Sequence, residues 1–472
     1  MVNGPAMDIL LVASEFAPWV QNTGVAEVVA SLSKTLKQVG HTVTVVVPHR
    51  AAYDQAGLLL ARRLSKLKLA DSRELAVYDT QLTSGIQLVL LDLSCDHHAE
   101  VCFEEAVVFA EAVAALINDR SNMGAHTDIV HVQDWMGSLC ALAIEQLDGP
   151  RPPTVVTLHD GIDVPNAAQS PDSAALGMFG SSPRAFFNGQ PSLTAAALRT
   201  AKGIITLSHL QARLLTDPTH GEPLSEELRQ LGLPILGIPA GVDYARANPA
   251  TDPQLPSRYD AEDSSQKATC KGALQKQLGL ELDVVHPLLF ITGPLLARQG
   301  HVVADLLPKL LDYQVSIVVG LQNRDELQTA DKVRILAEQW KQRIAVLPLT
   351  SDQPNTLALG AADLVLLGEA SSALHTYDLF ALRYGAVPIA NLSGAFADQL
   401  LDCDAKLQTG NCFAFDSWAT DEVLGATSRA ISAWQQLGFE RLRRRIMRQD
   451  LGWERPTRRA IQLYRQVLGI KV

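Results

Sequence analysis

At 472 residues the chain is too long for one ordinary hydrophobic core, and two domains are expected. Hydrophobic residues make up 47% and charged residues 19%, which excludes an intrinsically disordered chain. The net charge of -11 argues against broad binding to nucleic acid or to anionic membrane surfaces.

Short β-branched runs alternate with longer helical stretches. Asp8–Ala13, Thr42–Val47, Gln87–Leu91, Thr154–Leu158 and Gly203–Leu207 read as strands, followed by Leu288–Thr292, Val315–Val319, Arg343–Leu347, Leu364–Leu367 and Val387–Ala390. Continuous apolar runs of this length, separated by helices, indicate parallel sheets covered on both faces. Two successive sets predict two doubly wound α/β domains, with ligands beyond the carboxyl ends of the strands. Asn248–Tyr259 is rich in proline and polar residues, as linkers are. Lys267–Leu280 then reads as an amphipathic helix, and the segment from Trp453 to Arg465 as a helix with an arginine-rich face. The expected division is 1–245, 246–450, and a final helix over 451–472.

No stretch approaches the roughly 18 uninterrupted apolar residues of a membrane span, and the first residues lack the basic region of a signal peptide. Cys95, Cys102, Cys140, Cys270, Cys403 and Cys412 lie far apart with no Cys-x-x-Cys, so reduced thiols in a cytoplasmic protein are expected. No histidines have metal-ligand spacing, and neither a metal nor another cofactor is expected.

Several segments carry a resemblance over nearly the full length. They are Ile9–Pro18, Asp128-Ile-Val-His-Val-Gln-Asp-Trp135, Thr157-Leu-His-Asp160, Gly241-Val-Asp243 with Asn248–Asp252, Leu288–Gly300, Ala381-Leu-Arg-Tyr-Gly385 and Trp453-Glu454. In order and spacing they resemble the bacterial glycogen and starch synthase family, glycosyltransferase family five. The resemblance implies an α/β fold of the GT-B type: two doubly wound, Rossmann-like domains facing a cleft. The acceptor side would lie in the first domain and the nucleotide-sugar side in the second, with the C-terminal helix crossing back to the first. It also implies transfer of glucose from ADP-glucose to an α-1,4-glucan with retention of configuration. Negative charge then builds on a departing diphosphate. GT-B enzymes meet it with arginine, lysine, loop amides and helix N-termini in place of a metal.

The departures from the family pattern concentrate in the loops. Gln21 stands for a lysine, Thr23 for the first of two glycines, Pro294 for an arginine, Gln299 for a lysine, Ser372 for a glutamate and His375 for a glycine. A Cβ at Thr23 would be costly if the loop needed a positive φ there. Pro294 removes a guanidinium and a backbone donor. Gln133 replaces the second histidine of the Asp128–Trp135 stretch, and a short segment between Leu93 and Glu104 replaces a long acceptor loop.

Candidate residues by this resemblance are His159 as the catalytic contact to donor glucose, and Gly24, Asp134, Gly293, Gly300, Ser393 and Gly394 for the nucleotide sugar. Each has a plainer alternative: His159 as a hydrogen-bonded strand-end residue, Asp134 as a helix cap, Gly24 in an ordinary turn. Arg298, one residue before the lost lysine, and Glu369, three before the lost glutamate, are candidates for compensation. A uniform helical step of about 100° would aim Arg298 elsewhere. Losing one preorganised donor costs about 10²- to 10³-fold in rate. The expectation is therefore a synthase-like protein with lost or strongly reduced transferase activity. It would bind α-glucan and an adenine sugar nucleotide, or act in association with an intact synthase. Two alternatives stay open: an active synthase using Arg298 and Glu369, and a glycosyltransferase with another donor or acceptor.

Overall fold

The computed structural model describes residues 4–21, 23–70, 72–93, 103–149, 151–159, 186–187, 190–191, 193–217, 225–322, 327–349, 354–368, 376–394 and 396–470. The chain forms two compact units, Met1–Pro239 with Trp453–Val472, and Ala240–Gly452.

The first unit holds β1 (Asp8–Val12), β2 (Thr42–Pro48), β3 (Ala61–Arg62), β4 (Leu67–Lys68), β5 (Glu74–Gln81), β6 (Gln87–Asp92), β7 (Ile129–Gln133), β8 (Thr154–Leu158), the hairpin β9 (Phe186–Phe187) and β10 (Gln190–Pro191), then β11 (Gly203–Thr206) and β12 (Ile235–Gly237). The main sheet runs β12-β11-β8-β7-β1-β2-β6-β5-β3, with β4 paired to β5. From β12 to β6 every pairing is parallel, and β5 turns antiparallel against β6. The parallel centre is buried on both faces because helices cover it, which is why its strands read as continuous apolar runs.

The second unit holds β13 (Leu288–Ile291), β14 (Ser316–Gln322), β15 (Ile344–Leu349), β16 (Leu364–Leu366), β17 (Val387–Asn391) and β18 (Phe413–Phe415), ordered β15-β14-β13-β16-β17-β18 and parallel throughout. Four substantial strands go beyond the sequence expectation, each for a physical reason. In β5 burial alternates along an antiparallel edge, β12 and β18 are three residues long, and β7 carries His131 and Gln133 inside its apolar run.

The helix Lys267–Leu278 forms where expected, but it is not amphipathic in the ordinary sense. Its buried face includes Lys267, Lys271 and Gln275. Lys267 Nζ donates to the carbonyls of Leu359 (2.9 Å), Gly360 (3.0 Å) and Tyr384 (2.9 Å). The last residues of the helix Thr356–Ala361 and the C-cap of the helix Tyr377–Arg383 thereby gain the donor that helix ends lack. Burial pulls Lys267 down to about 7, while three carbonyl acceptors call for three donors, which only the ammonium supplies. Lys271 Nζ lies 3.0 Å from Asp363 Oδ2, Arg443 Nη2 2.8 Å from Asp363 Oδ1, and the amide of Leu288 donates to Asp363 Oδ2 at 3.0 Å. One buried carboxylate thus ties two helices to the amino ends of β13 and β16.

In the first unit the C-terminal helix Glu454–Val467 buries Ile461, Leu463 and Tyr464. Cys140, Cys270, Cys403 and Cys412 are buried free thiols, and Cys95 and Cys102 lie outside the described residues. Among the described residues no helix is long and apolar enough to cross a membrane.

Candidate functional site

Each sheet reverses its winding once. In the first unit the chain runs outward from β1 to β2 and β6, then returns to β7 on the other side of β1. In the second it runs from β13 to β14 and β15, then returns to β16. A crevice opens beyond the carboxyl ends at such a reversal, because the two connecting loops turn away from each other there. The residues that follow β1, β7, β8, β13 and β17 are therefore the ones to weigh.

After β1 the chain crosses to the helix Val25–Gln38. Glu15 is buried in this loop, and Thr23 donates its amide to Glu15 Oε1 at 3.0 Å. The Thr23 hydroxyl also bonds Glu15, and the amide of Val25 donates back to Thr23 Oγ1 at 3.2 Å. Gly24 is the N-cap residue, with φ -69° and ψ -14°. Neither Gly24 nor Thr23 takes a positive φ, so the left-handed strain anticipated at Thr23 does not arise. What the threonine side chain adds is a hydroxyl that bonds Glu15. Arg50, beyond the end of β2, is committed to an ion pair with Glu105.

β7 ends at Gln133, which is the N-cap of the helix Asp134–Glu145, so Asp134 is its first helical residue and not its cap. A Cβ on Gly137 would lie 2.8 Å from Val132 Cβ. Glycine there allows the helix to close onto β7. His159 follows β8 and is 1% exposed. Its Nε2 lies 2.9 Å from Gln133 Oε1, and Gln133 Nε2 lies 3.0 Å from His131 Nε2. His131 Nε2 also meets Thr157 Oγ1 at 2.6 Å, and its Nδ1 meets the Tyr464 hydroxyl at 2.7 Å. Burial holds His131 neutral, down to about 3. A continuous buried chain thus runs from the C-terminal helix through β7 to the end of β8.

In the second unit Thr292 is the N-cap of the helix Gly293–Leu310, and Pro294 sits in its first turn, where its fixed φ suits the helix start. The Thr292 amide and hydroxyl both donate to the Leu366 carbonyl at 3.2 Å, joining the carboxyl ends of β13 and β16. The helix breaks at Gln299 (φ -116°, ψ 26°), which is buried. The uniform step assumed between Arg298 and Gln299 therefore fails at this position. Gly300 follows the break, and a Cβ there would lie 2.6 Å from Thr329 Cγ2, so this glycine serves close helix packing. After β17, Gly394 has φ +52°, a region that glycine enters without steric cost. The Ser393 hydroxyl is buried with no hydrogen-bond partner.

Asp378 is the site feature that sequence reasoning passed over. It lies in the first turn of the helix Tyr377–Arg383, is 1% exposed, and neither carboxylate oxygen makes a well-formed hydrogen bond. Burial pushes it up to about 7, against a smaller pull from the amides of Leu379 and of Asp378 itself. Polar residues in a motif of unclear register gave no signal that this one is sealed from water.

The side chains of Asp134 and Arg298 and the whole of Asp160, Glu369, Ser372 and His375 lie outside the described residues, as does the shortened segment 94–102, while Gly293 is placed by its backbone as the first residue of its helix. Among the described residues no group of histidine, cysteine, aspartate and glutamate could hold a metal ion. A cavity of about 470 Å³ at the amino ends of the second sheet is lined by Lys267, Lys271, Asp363, Trp434, Glu440 and Arg443. With Arg444, Glu262 and Asp263 also in its lining, four cations meet four carboxylates, which leaves no surplus charge for a phosphate.

Residues 8–230 match the model of the starch synthase catalytic domain. Over 97% of its length the chain is 27% identical to 98% of glycogen synthase 2 of Geobacter sulfurreducens. It is 29% identical to the glycogen synthase of Dechloromonas aromatica, with 99% of each chain covered. Among solved structures it is similar to the catalytic domain of starch synthase IV from Arabidopsis thaliana bound to ADP and acarbose. That likeness has a TM-score of 0.85 at 20% identity and covers 98% of this chain and 100% of the other. The architecture of two parallel-rich α/β units is accordingly the GT-B fold.

Proposed function

We propose that the chain is a member of the glycogen and starch synthase family, which its residues 8–230 match, and that it binds an adenine sugar nucleotide and an α-glucan while its transferase activity is strongly reduced. The observation that carries this reading is the pair Gln21 and Gln299. Both stand where the family pattern has lysine, and Gln299 is buried at a helix break. A departing diphosphate develops charge that must be met by donors already in place. A neutral amide supplies a hydrogen bond without the Coulombic attraction of a cation. The amide at position 23 is already taken by Glu15, and the Thr23 hydroxyl bonds the same carboxylate. In the first unit the family pattern assigns His159 to the donor glucose and Gly24 to the sugar nucleotide, and in the second it assigns Gly293, Ser393 and Gly394 to the sugar nucleotide. The surviving role is recognition of glucan or support of an intact synthase.

Purified protein given labelled ADP-glucose and glycogen is expected to incorporate glucose at least about 10²-fold more slowly than an intact family member assayed alongside. Calorimetric titration should still detect ADP and a maltooligosaccharide. Incorporation at the rate of the intact enzyme would overturn the reading, as would binding of neither ligand. The helix break at Gln299 gives a second reading its footing, because it frees Arg298 from regular helical geometry. In that case turnover is robust, and Arg298→Ala or Glu369→Ala abolishes it.

A further inference from the structure

We propose that Gln133 is a positioning residue which locks the tautomer of His159 to that of His131, and so places the His159 ring under the control of Tyr464 on the C-terminal helix. The proposal rests on the reading of His159 as a donor-sugar contact, and its test is independent of turnover.

The reasoning is a count of protons along a closed path. His131, Gln133 and His159 are each 1% exposed and Tyr464 is fully buried, so bulk solvent does not reach them. His131 is neutral and carries one ring proton. With the amide oriented as in the structure, Gln133 Nε2–H donates to His131 Nε2, and Gln133 Oε1 accepts from His159 Nε2–H. His131 must then hold its proton on Nδ1 and donate it to the Tyr464 oxygen. Turning the amide over reverses every member. Tyr464 O–H donates to His131 Nδ1, His131 Nε2–H donates to the amide oxygen, and the amide N–H₂ donates to His159 Nε2, which moves the His159 proton to Nδ1.

Mixed states place two donors or two acceptors face to face in a buried site. The cost of leaving a buried polar group unsatisfied is about 1–3 kcal/mol. The two histidines therefore change tautomer together. Thr157 Oγ1, 2.6 Å from His131 Nε2, has a hydroxyl that rotates to donate or accept, so it fits both states and selects neither. Tyr464 can likewise accept from or donate to Nδ1, but the orientation observed depends on it, because without its oxygen an Nδ1–H of His131 would be a buried donor with no acceptor. The same choice decides whether the buried His159 Nδ1 carries a proton or a lone pair.

The test uses the full chain labelled with ¹⁵N at histidine and long-range ¹H–¹⁵N correlation spectra of the ring nitrogens. The wild type is expected to show His131 as the Nδ1–H tautomer and His159 as the Nε2–H tautomer. In Tyr464→Phe the Nδ1–H of His131 loses its acceptor, and the His159 signals should switch to the Nδ1–H pattern although the two residues do not touch. In Gln133→Met the His159 tautomers should become mixed while those of His131 stay as in the wild type. His159 spectra unchanged by both substitutions overturn the proposal. If Tyr464→Phe does not fold, Gln133→Met decides alone. Because no substrate is present, a negative transferase assay and a negative coupling result are read separately.

Discussion

Asp363→Ala is expected to destabilise the second unit by about 3–5 kcal/mol, the range for removing one partner of a buried ion pair. Asp363 is the only carboxylate that the structure places against both Lys271 and Arg443 among the described residues, and all three are under a tenth exposed. Burial alone would raise its carboxyl, but Lys271 and Arg443 outweigh that and hold it below its ordinary value. Alanine removes the charge and leaves two buried cations facing each other. It also strips the Leu288 amide of its acceptor at the start of β13. Lys271→Met should cost less, because Arg443 still pairs with Asp363. Denaturant titration followed by tryptophan fluorescence, with Trp434 beside Lys271 as a local reporter, measures both. A loss below about 1 kcal/mol for Asp363→Ala would show that the network is not what joins these helices to the sheet.

The second large effect is a pH dependence that Asp378→Asn should remove. The ordinary value of the group is 3.8, and burial lifts it to about 7 in the fold. Between these values the folded chain keeps a proton that the unfolded chain has released. Its contribution to stability is therefore complete below about pH 4 and lost as the pH rises through about 7. The full span corresponds to about 4 kcal/mol at most. His131 works in the opposite sense, since burial lowers it to about 3 and its cost grows as the pH falls from about 6.5. It cancels when variant and wild type are compared at the same pH. The stability of Asp378→Asn relative to wild type should thus rise by about 2–4 kcal/mol between pH 4 and pH 8. The asparagine amide, itself short of partners, lowers the whole curve but not its slope. A difference that stays level across this range would mean that water or a loop group reaches the carboxylate.

The strands of both sheets were legible because a parallel strand covered by helices must be apolar on both faces, and such runs stand out. β7 was hidden for the same reason. His131 and Gln133 interrupt its run, and they are tolerated only because Thr157, His159 and Tyr464 supply partners 26 to 333 residues away. Lys267–Leu278 was legible as a helix, yet its inward face was not. Lysines read as solvent-facing until a fold brings carbonyls and Asp363 to meet them. At the candidate site, sequence named the residues where a lysine, glycine or glutamate is missing from the family pattern. It could not say that Thr23 would engage Glu15, that the helix would break at Gln299, or that Asp378 would be sealed.

The sequence by itself determined the two parallel α/β layers and the chemistry absent from the loops, since periodicity and residue type are local properties of the chain. Only the tertiary structure decided which polar groups are buried and what each one faces. Hydrogen bonds and charge pairs such as Tyr464 with His131, or Asp363 with Arg443, join positions far apart in sequence, and desolvation gives those contacts their strength.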